Sequence, residues 1–214
     1  MKRIIEMVML TALIGVGTAV LFSTGGPKAR GRNSGYHPVP DKNNVAYDEK
    51  KEFDPKDAVK LAPFLPTPMC VVEKMLELAD VDENDIVYDL GCGDGRIVIT
   101  AAKKYGARGV GLDIFPQWVK KSRENARKAG VDSFVEFRLE DATKADISEA
   151  TVVALYLLPE SNDLLRPLLE KQLRPGACIV THNYHIPGWG DREICVASLE
   201  DDFGKEHTVF VYRP

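Results

Sequence analysis

The segment Asp89-Leu90-Gly91-Cys92-Gly93-Asp94-Gly95 constrains this chain more than any other. An apolar run, Asp85 to Leu90, enters it and reads as a short buried strand. A helical pattern, Arg96 to Tyr105, leaves it at once and is stopped by Gly106. Glycines at 91, 93 and 95 remove the side chains that would keep a ligand from the backbone, and they tolerate unusual dihedral angles. A strand, a glycine turn and a helix in this order place a nucleotide-like ligand across the carboxyl end of a parallel strand. The spacing is Gly-x-Gly-x-Gly, and Arg96 stands where a dinucleotide fold wants its third glycine.

The acids around the loop sharpen the reading. Asp89 and Asp94 would repel a pyrophosphate, but they suit a ligand that carries an ammonium and a sulfonium. Asp113, followed by Ile114, closes the next strand-like run, 18 residues beyond Gly95, where an acid can accept both hydroxyls of a ribose. Glu140-Asp141-Ala142 follows the third such run, where a carboxylate can take an adenine amino group. S-adenosylmethionine (SAM) has all of these groups. The expected cofactor site is therefore Asp89, Gly91, Cys92, Gly93, Asp94, Gly95, Asp113, Ile114, Glu140, Asp141 and Ala142, with Tyr156 at its edge.

Strand and helix alternate on either side of the loop. Thr67-Pro68 predicts a helix start, with Thr67 as N-cap, and Val72, Met75, Leu76 and Ala79 give residues 68–79 one apolar face. Strands are expected at Gly109–Leu112, Phe134–Arg138, Ala150–Leu157 and Ala177–Thr181, with helices at Pro116–Ala129 and Glu160–Gln172. Glu193–Ser198 and Glu206–Tyr212 read as a terminal hairpin. The expected fold is α/β: a Rossmann-like, doubly wound seven-stranded sheet, mostly parallel, with a C-terminal antiparallel hairpin.

Residues 1–24 form a separate element. Ile4 to Phe22 is apolar apart from Glu6, Thr11 and Thr18, and as a helix it would span about 28 Å, close to a bilayer core. It is expected to be an N-terminal membrane helix; a cleaved signal peptide is the alternative. Lys28, Arg30 and Arg32 outweigh Lys2 and Arg3, which points to a catalytic domain on the cytoplasmic side. Residues 25–60, rich in Gly, Pro, Asn, Asp and Lys, read as a linker, and 61–214 as the SAM domain. The first 32 residues hold five of the 28 Lys and Arg and one of the 32 acids, which leaves the rest at 23 basic against 31 acidic residues, a net of −8. So acidic a domain disfavours nucleic acid as a partner. Cys70, Cys92, Cys178 and Cys195 lack Cys-x-x-Cys spacing and read as reduced thiols. No metal site is expected.

Val87 to Gly95 and Gly111-Leu112-Asp113 resemble the first motif and the ribose acid of the class I, seven-stranded SAM-dependent methyltransferases. Pro63-Phe64-Leu65-Pro66-Thr67-Pro68, Gly95-Arg96-Ile97-Val98, Leu155-Tyr156-Leu157-Leu158-Pro159 and Gly188-Trp189 resemble one branch of them. That branch holds the mitochondrial lysine methyltransferases of the ATP synthase c-subunit and the adenine nucleotide translocase, and their bacterial relatives. The resemblance implies a protein lysine as acceptor, on a membrane or membrane-associated protein, and the mitochondrial inner membrane in a eukaryote. The Asn/Asp-Pro-Pro-Tyr element of enzymes that methylate base amines is replaced by Leu155-Tyr156-Leu157-Leu158-Pro159. Candidates for the acceptor rim are Tyr156, Thr67 and His182, with His185 and Trp189 behind them. A small-molecule or lipid methyltransferase and a non-catalytic SAM-binding module are the competing readings.

Overall fold

The computed structural model describes residues 54–214, apart from the side chain of Pro55. The expected membrane helix at 1–24, and the linker up to residue 53, lie outside the described residues. Among the described residues no helix is long and apolar enough to cross a membrane.

Seven strands form one sheet: β1 (Ile86–Leu90), β2 (Arg108–Asp113), β3 (Val135–Leu139), β4 (Val152–Leu155), β5 (Cys178–His182), β6 (Glu193–Glu200) and β7 (Glu206–Tyr212), in the order β3-β2-β1-β4-β5-β7-β6. The first five run parallel, and β7 lies antiparallel between β5 and β6. The hairpin thus inserts its second strand beside the sheet and leaves its first at the edge. Helices α1 (Met69–Leu78), α2 (Arg96–Tyr105), α3 (Pro116–Ala129) and α4 (Pro159–Gln172) complete the domain.

The central strands read as continuous apolar runs because both of their faces are covered. One buried cluster joins Val87, Val98, Phe137 and Val180 to the α1 face of Val71, Val72, Met75 and Leu76. The other joins Tyr88, Leu90, Leu112 and Leu155 to Leu165 and Leu169 of α4. Trp189, a candidate for the acceptor rim, belongs to this second core. It is buried, its ring centroid lies 5.9 Å from that of Tyr212, and its indole nitrogen donates to Glu170 at 2.9 Å. Its large apolar surface is better covered there than at a wet rim.

Helix α1 begins one residue later than expected, at Met69, and no side chain caps it. Thr67 does not serve as N-cap, because its hydroxyl is engaged elsewhere, 3.2 Å from His182 Nδ1. The parallel register brings the ends of β1 to β4 side by side. Asp89 pairs with Gly111 and Ala154, and Asp113 with Leu139. The loops that leave these ends build the site.

Candidate functional site

A cleft opens along the carboxyl edge of β3, β2, β1 and β4. Asp89, Gly91, Cys92, Gly93 and Asp94 form its floor, Asp113, Ile114, Glu140 and Ala142 one end, and Tyr156, Leu157 and Thr67 the other. The structure therefore gathers most of the residues expected at the cofactor site, together with Tyr156 and Thr67. Gly95 and Asp141 do not line the cleft, and neither does His182.

The loop's conformation requires its glycines. Gly93 has φ +52° and Gly95 has φ +81°, a region that side chains with a Cβ rarely adopt. Gly95 is also the N-cap of α2, and a Cβ there would stand 2.7 Å from Phe137 and 2.8 Å from Ser122. Gly95 thus shapes the loop from behind.

Asp113 holds this shape from the neighbouring strand. Its Oδ2 accepts from Gly93 N at 3.0 Å and its Oδ1 from Phe115 N at 2.9 Å. A carboxylate has about four lone-pair sites, so these bonds leave it able to accept a ligand hydroxyl. Burial raises its pKa despite these bonds. Asp89 is 3% exposed. Burial, then the charges of Asp113 and Asp94, push its carboxyl up to about 8. Such a group awaits a cation. The same surroundings drive the Cys92 thiol well above its ordinary value, so it is a packing residue rather than a nucleophile.

Asp94 departs from the sequence expectation. Its carboxylate is taken by Arg96, with Nε to Oδ1 at 3.0 Å and Nη2 to Oδ2 at 2.7 Å. The same guanidinium donates through Nη1 to the Thr67 carbonyl at 2.7 Å. Arg96 therefore neutralises one acid and ties the glycine loop to the Pro66-Thr67-Pro68 segment. Asp141 also turns away from the cleft. It accepts from Thr143 N and Oγ1 at 2.9 and 2.7 Å and from Val59 N at 3.2 Å. Glu140 is left as the acid of this stretch on the cleft wall.

Phe64 and Trp118 roof the loop as a stacked pair, with ring centroids 3.8 Å apart and planes inclined by 26°. Both line the cleft, and neither was marked as a site residue from the sequence. The approach to the roof is anchored where Ser161 Oγ donates to the Leu61 carbonyl. At the far end, Tyr156 lies over His182 with centroids 3.8 Å apart. His182 is fully buried behind it, and burial, then His207 and Lys205, lower its pKa to about 3. It stays neutral at physiological pH. His185 is exposed, and its ring meets Phe210 edge-on. Among the described residues no group of three His, Cys, Asp or Glu side chains is placed to hold a metal ion.

A mixed seven-stranded sheet with its one reversed strand near the edge, and a cleft built from a glycine loop and successive strand-end acids, define a class I SAM-dependent methyltransferase. Comparison with known proteins agrees. The chain belongs to the family described by the ANTKMT methyltransferase domain, whose model matches residues 89–193. It is 44% identical over 151 residues to a protein-lysine N-methyltransferase of Saccharolobus islandicus, covering 70% of this chain and 92% of that one. It is 32% identical to the human lysine N-methyltransferase of the ATP synthase c-subunit over 59% of this chain, but spans only 54% of that enzyme's length. A solved structure described as an RNA methyltransferase from Salinibacter ruber, bound to S-adenosyl-L-homocysteine, shares 55% identity, with a TM-score of 0.63, over 70% of this chain and 93% of that one. The protein is a SAM-dependent methyltransferase.

Proposed function

We propose that this enzyme transfers methyl groups to the side-chain amine of protein lysines. The observation that carries this reading is the Saccharolobus relative, matched over nearly its whole length. The acceptor end of the cleft supports it. Tyr156 and Thr67 offer an aromatic face and a hydroxyl there. Such a lining desolvates an ammonium and favours its neutral, nucleophilic form.

In this reading the buried Asp89 faces the ammonium of SAM, Asp113 the ribose hydroxyls and Glu140 the adenine end. When bound, SAM supplies an activated methyl group on a sulfonium that leaves readily. The chain's own residues supply proximity, alignment and a water-poor path. At pH 7 the unliganded Asp89 carboxyl, with its pKa near 8, is mostly protonated. A cation beside it favours the carboxylate, so binding of SAM releases a proton, and affinity rises as pH climbs towards 8. Calorimetry at pH 7 in two buffers of different ionisation enthalpy measures this release. Identical apparent enthalpies would refute it.

The membrane-embedded or membrane-adjacent nature of the acceptor is part of the same proposal. It draws on the apolar run Ile4–Phe22, which would hold the enzyme at the cytoplasmic face of a membrane, the mitochondrial inner membrane in a eukaryote. The name of the Salinibacter relative favours a second reading, an RNA acceptor. The domain's excess of acid and the Leu-Tyr-Leu-Leu-Pro sequence at 155–159 weigh against it. Methyl-labelled SAM, offered with a membrane protein extract, total RNA and lipid, separates these outcomes. Methyl-lysine in the protein hydrolysate supports the proposal. Label confined to RNA or to the organic phase overturns it.

A further inference from the structure

Behind the acceptor end of the cleft runs a hydrogen-bond chain that the cofactor site does not use. Asp201 Oδ2 lies 3.1 Å from His207 Nε2. His207 Nδ1 lies 2.9 Å from His182 Nε2, and His182 Nδ1 lies 3.2 Å from Thr67 Oγ1. The chain starts in the loop of the β6–β7 hairpin, passes through two buried imidazoles and ends in the cleft wall. We propose that Asp201 and His207 are positioning residues, which fix the tautomer of His182 so that the Thr67 hydroxyl points away from the cleft and offers only lone pairs to the incoming amine. This rests on the lysine reading above.

The direction follows from donor and acceptor rules. A carboxylate only accepts, so the proton of His207 sits on Nε2. In a neutral ring Nδ1 is then an acceptor, and His182 donates to it from Nε2. His182 Nδ1 is left as an acceptor, and it takes the Thr67 hydroxyl proton. The Thr67 oxygen can accept an N–H of the amine, which leaves the nitrogen lone pair free to be aimed. Two further observations agree. Asp201 is held below the usual carboxylate range by Lys205 N–H first, then by His207, so it is an anion. Thr67 has given up helix capping for this contact.

Asp201→Asn tests the chain without removing it. The amide oxygen still accepts from Phe203 N and Lys205 N, as the carboxylate does now. Its NH₂ must donate to His207 Nε2, which moves the proton of each ring to Nδ1 and turns the Thr67 hydroxyl into a donor facing the cleft. The expected result has two parts. Imidazole ¹⁵N shifts place the protons on Nε2 of both histidines in the wild type and on Nδ1 of both in the variant. With a lysine peptide, kcat falls ~10–100-fold while the affinity for SAM is unchanged. A doubly protonated His207 in the wild type at the assay pH, tautomers that do not reverse, or reversal with wild-type kcat would each overturn the proposal. If the variant does not fold, Thr67→Val and Thr67→Ser decide: the valine should lose kcat and the serine keep it, and equal activity overturns the chain's role. The ¹⁵N measurement needs no substrate, so a wild type that never methylates lysine would defeat the lysine reading and leave the tautomer result standing by itself.

Discussion

Asp89→Asn should make the unliganded enzyme more stable and almost unable to bind SAM. The sign follows from where the carboxyl titrates. In the folded, ligand-free domain burial, then Asp113 and Asp94, raise its pKa to about 8 from an ordinary 3.8. Below about pH 4 both the folded and unfolded chains hold the proton. Between about pH 4 and pH 8 the unfolded chain gives it up and the folded one does not, so stability is lost steadily across that window. Asparagine has no proton to lose. At pH 8 the variant should therefore unfold at a temperature a few degrees higher, a gain of ~1–3 kcal/mol. The same change removes the carboxylate on the floor of the cleft that has no cationic partner among the described residues, since Asp94 is held by Arg96. SAM affinity should fall ~100-fold or more, the cost of an unpaired ammonium in a buried site. Thermal unfolding with and without SAM reads both effects. A variant that SAM stabilises as well as it does the wild type would remove Asp89 from the cofactor site.

Gly95→Ala should damage the fold. Two costs add. The residue sits at φ +81°, where an L side chain loses ~1–2 kcal/mol. Its new Cβ would also meet Phe137 at 2.7 Å and Ser122 at 2.8 Å, one in the core and the other fully buried on α3. Overpacking of that kind costs ~1–3 kcal/mol. A loss of ~2–5 kcal/mol should appear in denaturant midpoints, with weaker SAM binding because the N-terminus of α2 must move. Gly130→Ala is the control. It has a similar φ of +72° but open space around it, and should lose only the conformational part. Equal losses at the two sites would contradict the packing argument.

The glycine-loop half of the cleft was legible because its residues are local. The loop, its strand and its helix are contiguous, and the acids fall at strand ends that a parallel sheet must bring together. Helices α2 and α3 match their sequence boundaries, since Gly106 and Gly130 close each of them in a left-handed conformation. The acceptor half was not legible, because its contacts join distant parts of the chain. Thr67 reads as a helix cap until His182, 115 residues away, claims its hydroxyl. Trp189 reads equally well as rim or core, and only the packing of β7 against β5 decides. Asp94 and Asp141 sit in the right stretches with their carboxylates committed elsewhere, to Arg96 and to Thr143. Residue type and spacing place an acid near a site, but they do not say which way it faces.

The cleft should hold SAM lengthwise, with its amino-acid end at Asp89 and its adenine at Glu140. A crystal structure of the domain with S-adenosyl-L-homocysteine tests this most directly. The predicted result is an ammonium paired with Asp89, a ribose on Asp113, and an open channel leading from the sulfur to Tyr156 and Thr67. Adenine at the Asp89 end, or a sulfur walled off from Tyr156 and Thr67, would contradict it.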